Sequence, residues 1–439
     1  MDKSYKLQLK INDIRAIKEA NIALDGITVI TGENGCGKST ISHLTYTLLK
    51  TIIDYDEIVE DGVKEIYKNI YLTLGRVLLS LNLPDRRESH NQYRSLFRNY
   101  NKNSIKAGNK LLLGAIDFTI QQLIRDKSSN SIMDPKSERI EMMIVGLLKD
   151  QKAYTIGNIS ELLVELKLYL NEILINANSQ KDELSLDVLY DVLDEEFHDK
   201  PLPKTFSITE YGTQLIDIKE NIITPFFSVE NVVYIDTPMV LGLPIEEERQ
   251  HWSDLSQLLE TKRTSLNKDI GFSNDIQNGI LNGDAIYSDE NLADNTFIYK
   301  RDDGSVFDLV ECATGIKSFS ILLMLYKNGL LNDKTLLIID EPEAHLHPQW
   351  VVEYARLIVK MNKQFGVTFL IASHHPDMIS AIKYISQKEK IDDKLHFYLA
   401  ERYGKTYNYN YRHLGTDIED IFKSFNIAYE RMDQYGDTE

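Results

Sequence analysis

The sequence predicts a mixed α/β fold in which a parallel sheet carries helices, a small antiparallel β-lobe precedes it and a large helical insertion interrupts it. A glycine-rich loop lies between a strand pattern and a helix pattern near the N-terminus. Apolar residues then recur at helical spacing, and strand and helix patterns alternate again after residue 315. We expect a head formed by residues 1–51 and 205–439, and an insertion formed by residues 52–204.

The first 31 residues predict the antiparallel lobe. Polar and apolar side chains alternate at residues 6–11 and 19–24, which indicates two half-buried strands. Asp25-Gly26 is a turn signal, and the apolar run at residues 27–30 that follows it is typical of a buried strand.

The glycine-rich loop fits the pattern G-x-x-x-x-G-K-[ST] at every fixed position and is followed by a helix pattern at residues 41–49. In such a loop the backbone N–H groups converge beside a helix N-terminus, which favours phosphate. The predicted nucleotide-binding residues are Gly32, Glu33, Asn34, Gly35, Cys36, Gly37, Lys38, Ser39 and Thr40. Lys38 would reach the β- and γ-phosphates of a nucleoside triphosphate, and the Ser39 hydroxyl would bind Mg²⁺.

The sequence pattern in the middle of the chain, residues 52–204, predicts helices. Asn158 and Glu161 form a capping-box pattern, after which four leucines recur at every fourth position. Prolines and glycines interrupt the segment, and no heptad persists, so a long coiled coil is not expected.

A basic segment lies inside this insertion, at residues 86–110. Its cations, opposed by the single acid Glu88, are Arg86, Arg87, Arg94, Arg98, Lys102, Lys106 and Lys110. A helical register would form a basic stripe with interleaved aromatic residues, suited to nucleic acid or to an acidic protein. Several asparagines disfavour a continuous helix, and a solvated face or loop is the alternative.

A second chemical constellation follows residues 335–339, an apolar strand that ends in Asp340 and Glu341. Such a strand belongs in the middle of a parallel sheet, with its carboxyl end at the ligand crevice. Asp340 would hold Mg²⁺, and Glu341 would act as the general base toward the water that attacks the γ-phosphate. The pair therefore favours an ATPase over a passive nucleotide binder.

Three motifs resemble those of the ABC-type ATPases of the RecF, SMC and OLD groups. They are DEPEAHLHP at residues 340–348, SHHP at residues 373–376 and ATGIK at residues 313–317. The resemblance covers about residues 1–50 and 205–385 and implies an ABC-type P-loop ATPase head that binds ATP and Mg²⁺. It also implies that His374 is the switch histidine, that residues 344–347 form the D-loop, and that the signature loop consists of Ala313, Thr314, Gly315, Ile316 and Lys317.

The signature loop implies a second copy of the chain. In the resembled family two heads sandwich two ATP molecules, and each signature loop caps the γ-phosphate held by the other subunit. We therefore expect a homodimer through the heads.

Some positions depart from the family pattern. Thr314 stands where Ser is usual, and Ile316 where a second Gly is common. No glutamine lies in an obvious Q-loop context; Asp236 is a candidate, with a plain turn residue as the alternative. The clustered His345, His347, His374 and His375 are explained by the ABC motifs better than by a metal site.

Composition narrows the function classes. A net charge of −18 argues against a uniformly basic surface that coats nucleic acid. The two cysteines have no metal-ligand spacing, and the sequence shows neither a signal-peptide pattern nor an uninterrupted apolar span. We expect a cytoplasmic protein that does not enter a membrane.

The long stretch between Lys38 and Thr314 disfavours a transporter cassette, and the short stretch after His375 disfavours a fused OLD-type nuclease. The architecture resembles the stand-alone ATPase subunits of bacterial anti-phage operons, such as PtuA of Septu and retron systems or AriA of PARIS. The resemblance implies control of a separate toxic effector, such as a nuclease, that is encoded nearby. A RecF-like DNA clamp and a scaffold that binds ATP without turnover are the alternatives.

Overall fold

A computed structural model describes most of the 439-residue chain. The described residues are 4–81, 85–96, 104–126, 135–148, 159–182, 184–197, 205–238, 241, 250–261, 270–288, 296–344 and 346–423. Within these residues no helix is both long enough and apolar enough to cross a membrane.

The described residues form fourteen strands and twelve α-helices. The strands are β1 Leu7–Ile14, β2 Ile17–Leu24, β3 Ile27–Thr31, β4 Thr205–Glu210, β5 Thr213–Asp217, β6 Ile222–Ile223, β7 Asn231–Ile235, β8 Gly283–Ser288, β9 Thr296–Arg301, β10 Val306–Asp308, β11 Thr335–Asp340, β12 Thr368–Ala372, β13 Leu395–Arg402 and β14 Tyr409–Gly415. The helices are α1 Lys38–Ile53, α2 Tyr55–Ser80, α3 Arg86–Leu96, α4 Ile105–Asp126, α5 Pro135–Leu148, α6 Ile159–Asp182, α7 Leu186–Phe197, α8 Gln250–Glu260, α9 Ile270–Ile276, α10 Thr314–Lys327, α11 Pro348–Phe365 and α12 Pro376–Lys388.

One mixed sheet of eleven strands organises the head, in the order β6-β5-β4-β1-β2-β14-β13-β3-β12-β11-β7. The strands β13, β3, β12, β11 and β7 pair in parallel, whereas β2, β1, β4, β5 and β6 pair antiparallel. The strand β14 joins the two parts, because it pairs antiparallel with β13 and parallel with β2. The predicted fold class, a parallel core with an N-terminal antiparallel lobe and a helical insertion, is confirmed.

Both faces of the parallel core are buried. In β3, Ile27 and Val29 lie in one apolar cluster, which includes side chains of α8 to α12. Ile30 lies in the other cluster, which includes side chains of α1 and α7. Burial on both faces explains why β3, β11 and β12 read as continuous apolar runs in the sequence.

The chain divides into two compact units, Met1–Ile53 with Leu186–Glu439, and Asp54–Ser185. The predicted insertion covers residues 52–204, whereas the helix α7 belongs to the first unit. Its buried Leu189 and Leu193 share an apolar cluster with α1, and His43 of α1 lies 3.0 Å from Glu196 of α7. The helical pattern of α7 resembles that of the insertion, so sequence periodicity alone does not separate them.

In the second unit α2, α4, α5 and α6 pack on one another, and α3 packs on α2 and α4. The basic segment begins in α3, which ends at Leu96, and resumes in α4; Arg98 and Lys102 lie outside the described residues. Tyr93, predicted to interleave with the cations, is buried instead, stacked on Tyr71 with ring centroids 4.8 Å apart. Its ring is therefore part of the buried core of this unit.

Candidate nucleotide site

The glycine-rich loop connects β3 to the N-terminus of α1, which begins at Lys38. Gly35 and Gly37 have φ of +80° and +100°, in the left-handed region that favours glycine. A Cβ on Gly37 would lie only 2.8 Å from Ile17 Cγ1. Gly35 therefore requires glycine for its conformation, and Gly37 for both conformation and space, as in a loop that wraps around phosphate.

Side chains from within and outside the loop hold it in place. Lys38 is buried, and its Nζ donates to the carbonyls of Gly32 and Glu33 at 2.9 and 3.1 Å. Tyr411, on β14, donates its hydroxyl to the Cys36 carbonyl at 3.2 Å. Burial raises the pKa of Tyr411, so this hydroxyl keeps its proton. The loop is thus preformed, with an ammonium group inside it.

Asp340 is the last residue of β11 and is buried near the start of α1. Its Oδ2 accepts a hydrogen bond from the Tyr234 hydroxyl at 3.0 Å, whereas its Oδ1 has no hydrogen-bond partner among the described residues. Burial raises the pKa of this carboxyl, and the nearby hydroxyls of Ser42, Ser39 and Tyr234 act in the opposite direction.

This environment fits a divalent cation. The predicted ligands Ser39 and Asp340 lie close together, and a buried carboxylate oxygen without a protein partner is what an oxygen-binding cation such as Mg²⁺ would satisfy. A bound cation would also offset the cost of burying the carboxylate.

Glu341 follows with φ of +46°, an uncommon conformation for a residue with a side chain. Its backbone N–H donates to the Ala372 carbonyl of β12 at 2.8 Å, which fixes this turn. Its Oε1 lies 3.2 Å from Nδ1 of His374, and both side chains are partly exposed. The structure therefore brings the predicted base and the predicted switch histidine together.

Glu343 stabilises this pair through hydrogen bonds. Its buried Oε1 accepts from the Ser373 hydroxyl at 2.8 Å and from the His374 backbone N–H at 3.3 Å. Burial raises the pKa of the Glu343 carboxyl. Glu343 thereby ties the segment after β11 to the segment after β12.

The predicted signature loop forms the start of α10. Ala313 is the exposed N-cap residue, and the helix begins at Thr314. Gly315 is buried; a Cβ there would lie 2.9 Å from the ring of Trp350, so close packing against α11 also requires this glycine. Lys317 donates to the Val310 carbonyl at 2.7 Å, while Ile316 is partly buried.

Two further histidines of the motifs cap helices. His347 and His375 are the N-cap residues of α11 and α12, and accept from the backbone N–H of Gln349 and Asp377. His345 lies outside the described residues. In the described ranges no group of three or more His, Cys, Asp or Glu side chains could hold a metal ion.

The weak Q-loop candidate, Asp236, follows β7 and accepts hydrogen bonds from two side chains of α8. His251 Nε2 lies 3.1 Å from one of its oxygens, and Trp252 Nε1 lies 2.7 Å from the other. Asp236 thus anchors α8.

Sequence reasoning missed Tyr234, Tyr411 and Glu343. The two tyrosines reach the site from strands distant in sequence, so their spacing carries no signal. Glu343 stands within the motif DEPEAHLHP, and the charged residue after Pro342 was the signal that could have identified it.

Comparison with known proteins identifies the family. A family model described as "AAA ATPase domain" matches residues 7–379. Two curated proteins of Clostridium perfringens, the energy-coupling factor transporter ATP-binding proteins EcfA2 and EcfA3, are each 42% identical over 50 residues. That match covers 11% of this chain, and the chain spans only 18% of the length of each relative.

Solved structures with similarity to this chain include two SMC heads. The Smc head domain of Pyrococcus furiosus, bound to the C-terminal domain of ScpA, is 12% identical with a TM-score of 0.34, covering 98% of this chain and 100% of that one. The SMC head domain of Thermotoga maritima is 9% identical with a TM-score of 0.34, covering 93% of this chain and 98% of that one. The family assignment therefore rests on the family model.

Lys38→Ala should weaken ATP binding at least about tenfold, since a hydrogen bond to a charged group contributes about 1.5–3 kcal/mol. Calorimetric titration with ATP measures the effect. Lys334→Ala, which removes an exposed ion pair with Glu230 just before β11, is the matched control. Equal ATP affinity in the two variants would refute the assignment of Lys38.

Proposed function

The chain belongs to the AAA ATPase domain family and is an ATPase, and we propose that two copies pair through their heads and hydrolyse ATP at two shared sites. The observation that carries this proposal is the position of Glu341, which follows the buried Asp340 and lies 3.2 Å from His374. A partly exposed carboxylate beside a metal-binding carboxylate is suited to activate water.

The proposal gives each residue of the site a role. Residues 32–40, with Lys38 among them, would bind the phosphates, and Ser39 and Asp340 would hold Mg²⁺, whose charge would offset that of the phosphates. Glu341 accepts a proton from the water that attacks the γ-phosphorus, and ADP carries away the electron pair of the broken P–O bond. His374 donates a hydrogen bond to the γ-phosphate and senses its presence.

Pairing of two heads is supported by the signature loop. The first turn of an α-helix presents backbone N–H groups that favour an anion, and the N-cap residue of α10, Ala313, is exposed and provides no capping side chain. A phosphate held by the loop of a second copy would supply that anion. The γ-phosphate then links the two subunits, and its hydrolysis releases them.

We further propose that the closed pair controls a separate effector protein in bacterial defence against phage. The resemblance in architecture supports this role, and so does the surface of the insertion. Val164, Leu168 and Ile175 are more than half exposed and lie on one face of α6, where three apolar side chains form a surface suited to a protein partner.

A RecF-like DNA clamp is the second candidate. The exposed Arg87 and Arg94 on α3, with Lys106 and Lys110 on α4, form a local basic surface that is suited to phosphates. The third candidate, a scaffold that binds ATP without turnover, is disfavoured because it would have no use for Glu341 beside His374.

Glu341→Gln should retain ATP and Mg²⁺ binding but lower hydrolysis at least about 100-fold, because the base is lost while Asp340 remains. The variant should accumulate as an ATP-bound dimer, measured by light scattering with and without ATP. Glu353→Gln, on the helix α11, is the control. Hydrolysis at the parental rate by Glu341→Gln would show that another group activates the water.

A mixture of two inactive variants tests the shared site. Ala313→Arg adds a bulky charge at an exposed N-cap and should block closure, whereas a variant at Gly315 would also disturb Trp350. In a 1:1 mixture with Lys38→Ala, half of the dimers have one site with both halves intact, so about a quarter of the parental activity should return. No recovery, or full activity of Ala313→Arg alone, would contradict head pairing through residues 313–317.

The defence role is tested by producing the protein with the products of adjacent genes. Phage protection should require both Lys38 and Glu341, and the protein should co-purify with a neighbouring product at high salt. Steep loss of duplex DNA binding as salt rises, abolished by Arg87→Ala with Arg94→Ala, would favour the DNA clamp instead. If the Lys38→Ala variant protected fully against phage, the proposed role would not depend on ATP binding.

A further inference from the structure

Tyr234 lies next to the candidate metal site but belongs to none of the motifs. It stands on β7, which pairs in parallel with β11, and its register partner is Ile338, two residues before Asp340. The residue is buried, and its hydroxyl donates to Asp340 Oδ2 at 3.0 Å. One of the two oxygens of the carboxylate that would bind Mg²⁺ is therefore already hydrogen-bonded to a tyrosine hydroxyl.

Neighbouring rings restrict the movement of Tyr234. Its ring centroid lies 4.9 Å from that of His251, 5.7 Å from that of Tyr46 and 6.1 Å from that of His43. These neighbours come from α8 and α1, and Asp236 in turn holds His251 in position. Because the ring cannot swing freely, the position of its hydroxyl oxygen beside Asp340 is set by the fold.

The two oxygens of Asp340 consequently differ. Oδ2 is bonded to Tyr234, whereas Oδ1 is buried without a partner among the described residues. A carboxylate fixed through one oxygen presents the other in a single direction, and a side chain that orients a metal ligand in this way commonly changes metal affinity about 10–100-fold.

We propose that Tyr234 is a positioning residue for the metal site: it holds Asp340 through Oδ2, so that Oδ1 is the oxygen that would bind Mg²⁺ together with Ser39. This inference rests on the proposed function, in which Ser39 and Asp340 bind the cation. Tyr234 acts only through Asp340, so its loss changes metal binding while nucleotide binding without metal persists.

The chain offers a matched pair of substitutions. Tyr234→Phe removes the hydroxyl that faces Asp340. Tyr46→Phe removes a hydroxyl from the same aromatic cluster, but that hydroxyl donates to Asp254. Both changes keep the ring, so a general effect of altered packing should appear in both variants.

The full-length proteins are titrated with Mn²⁺ in the presence of ATP, and free Mn²⁺ is measured by electron paramagnetic resonance. Tyr234→Phe should bind Mn²⁺ at least about tenfold more weakly than the parental protein, whereas Tyr46→Phe should stay within about twofold. ATP affinity in EDTA should be equal in all three proteins.

In hydrolysis assays the Mg²⁺ concentration for half-maximal rate should rise for Tyr234→Phe, and saturating Mg²⁺ should restore most of the rate.

A second test asks whether the effects of two substitutions on Mn²⁺ affinity add. In an Asp340→Asn background, Tyr234→Phe should weaken Mn²⁺ binding no further, because it acts through the carboxylate that is already altered. Parental Mn²⁺ affinity in Tyr234→Phe, equal weakening in Tyr46→Phe, or full additivity with Asp340→Asn would each overturn the positioning role.

These outcomes are distinct from a failure of the proposed function. If the parental protein bound no Mn²⁺ with ATP, or if Asp340→Asn bound it as tightly as the parental protein, the metal site itself would be wrong and Tyr234 would have no such role. If the parental protein bound Mn²⁺ through Asp340 but Tyr234→Phe matched it, only the positioning role would fail.

Discussion

The parallel pairing of β3, β12, β11 and β7 is the constraint on which the candidate site depends. The register pairs Ile30 with Ala372, Ala372 with Asp340, and Ile339 with Ile235, so all four strands end at one edge of the sheet. The phosphate loop, His374, Glu341 and Asp236 each follow one of these strands. A shift of one strand by two residues would separate groups that are now within hydrogen-bond reach.

Chemistry at this edge comes with local costs in stability. A left-handed non-glycine residue such as Glu341 costs on the order of 1–3 kcal/mol, and buried carboxylates such as Asp340 and Glu343 lose hydration. The hydrogen bonds of Glu341 N to Ala372 O, of Tyr234 to Asp340 and of Ser373 to Glu343 offset part of these costs. The apolar clusters on both faces of the sheet stabilise the fold and so offset the remaining part of these costs.

Local patterns in the sequence predicted the elements that carry the chemistry. The strand, loop and helix around Lys38, the strand that ends at Asp340, and the βα alternation after residue 315 all appear in the structure. What the sequence could not provide is contact between distant segments. The hydroxyls of Tyr234 and Tyr411, and the packing of Gly315 against Trp350, depend on how strands and helices assemble. The buried Tyr93 shows the same limit, because periodicity indicates a helix but not which of its aromatic residues meets the core.

The helix α1 links the nucleotide site to the chain segments that flank the insertion. It begins at Lys38 in the phosphate loop and ends at Ile53, directly before the second unit, and α7, the first helix after that unit, packs back onto it. At 1.5 Å per residue its 16 residues extend for about 24 Å. Both covalent connections of the insertion therefore converge on the helix that begins at the glycine-rich loop. His43, near the middle of α1, lies between Glu196 of α7 and the ring of Tyr234, so Asp340 is only two side chains away from the return connection.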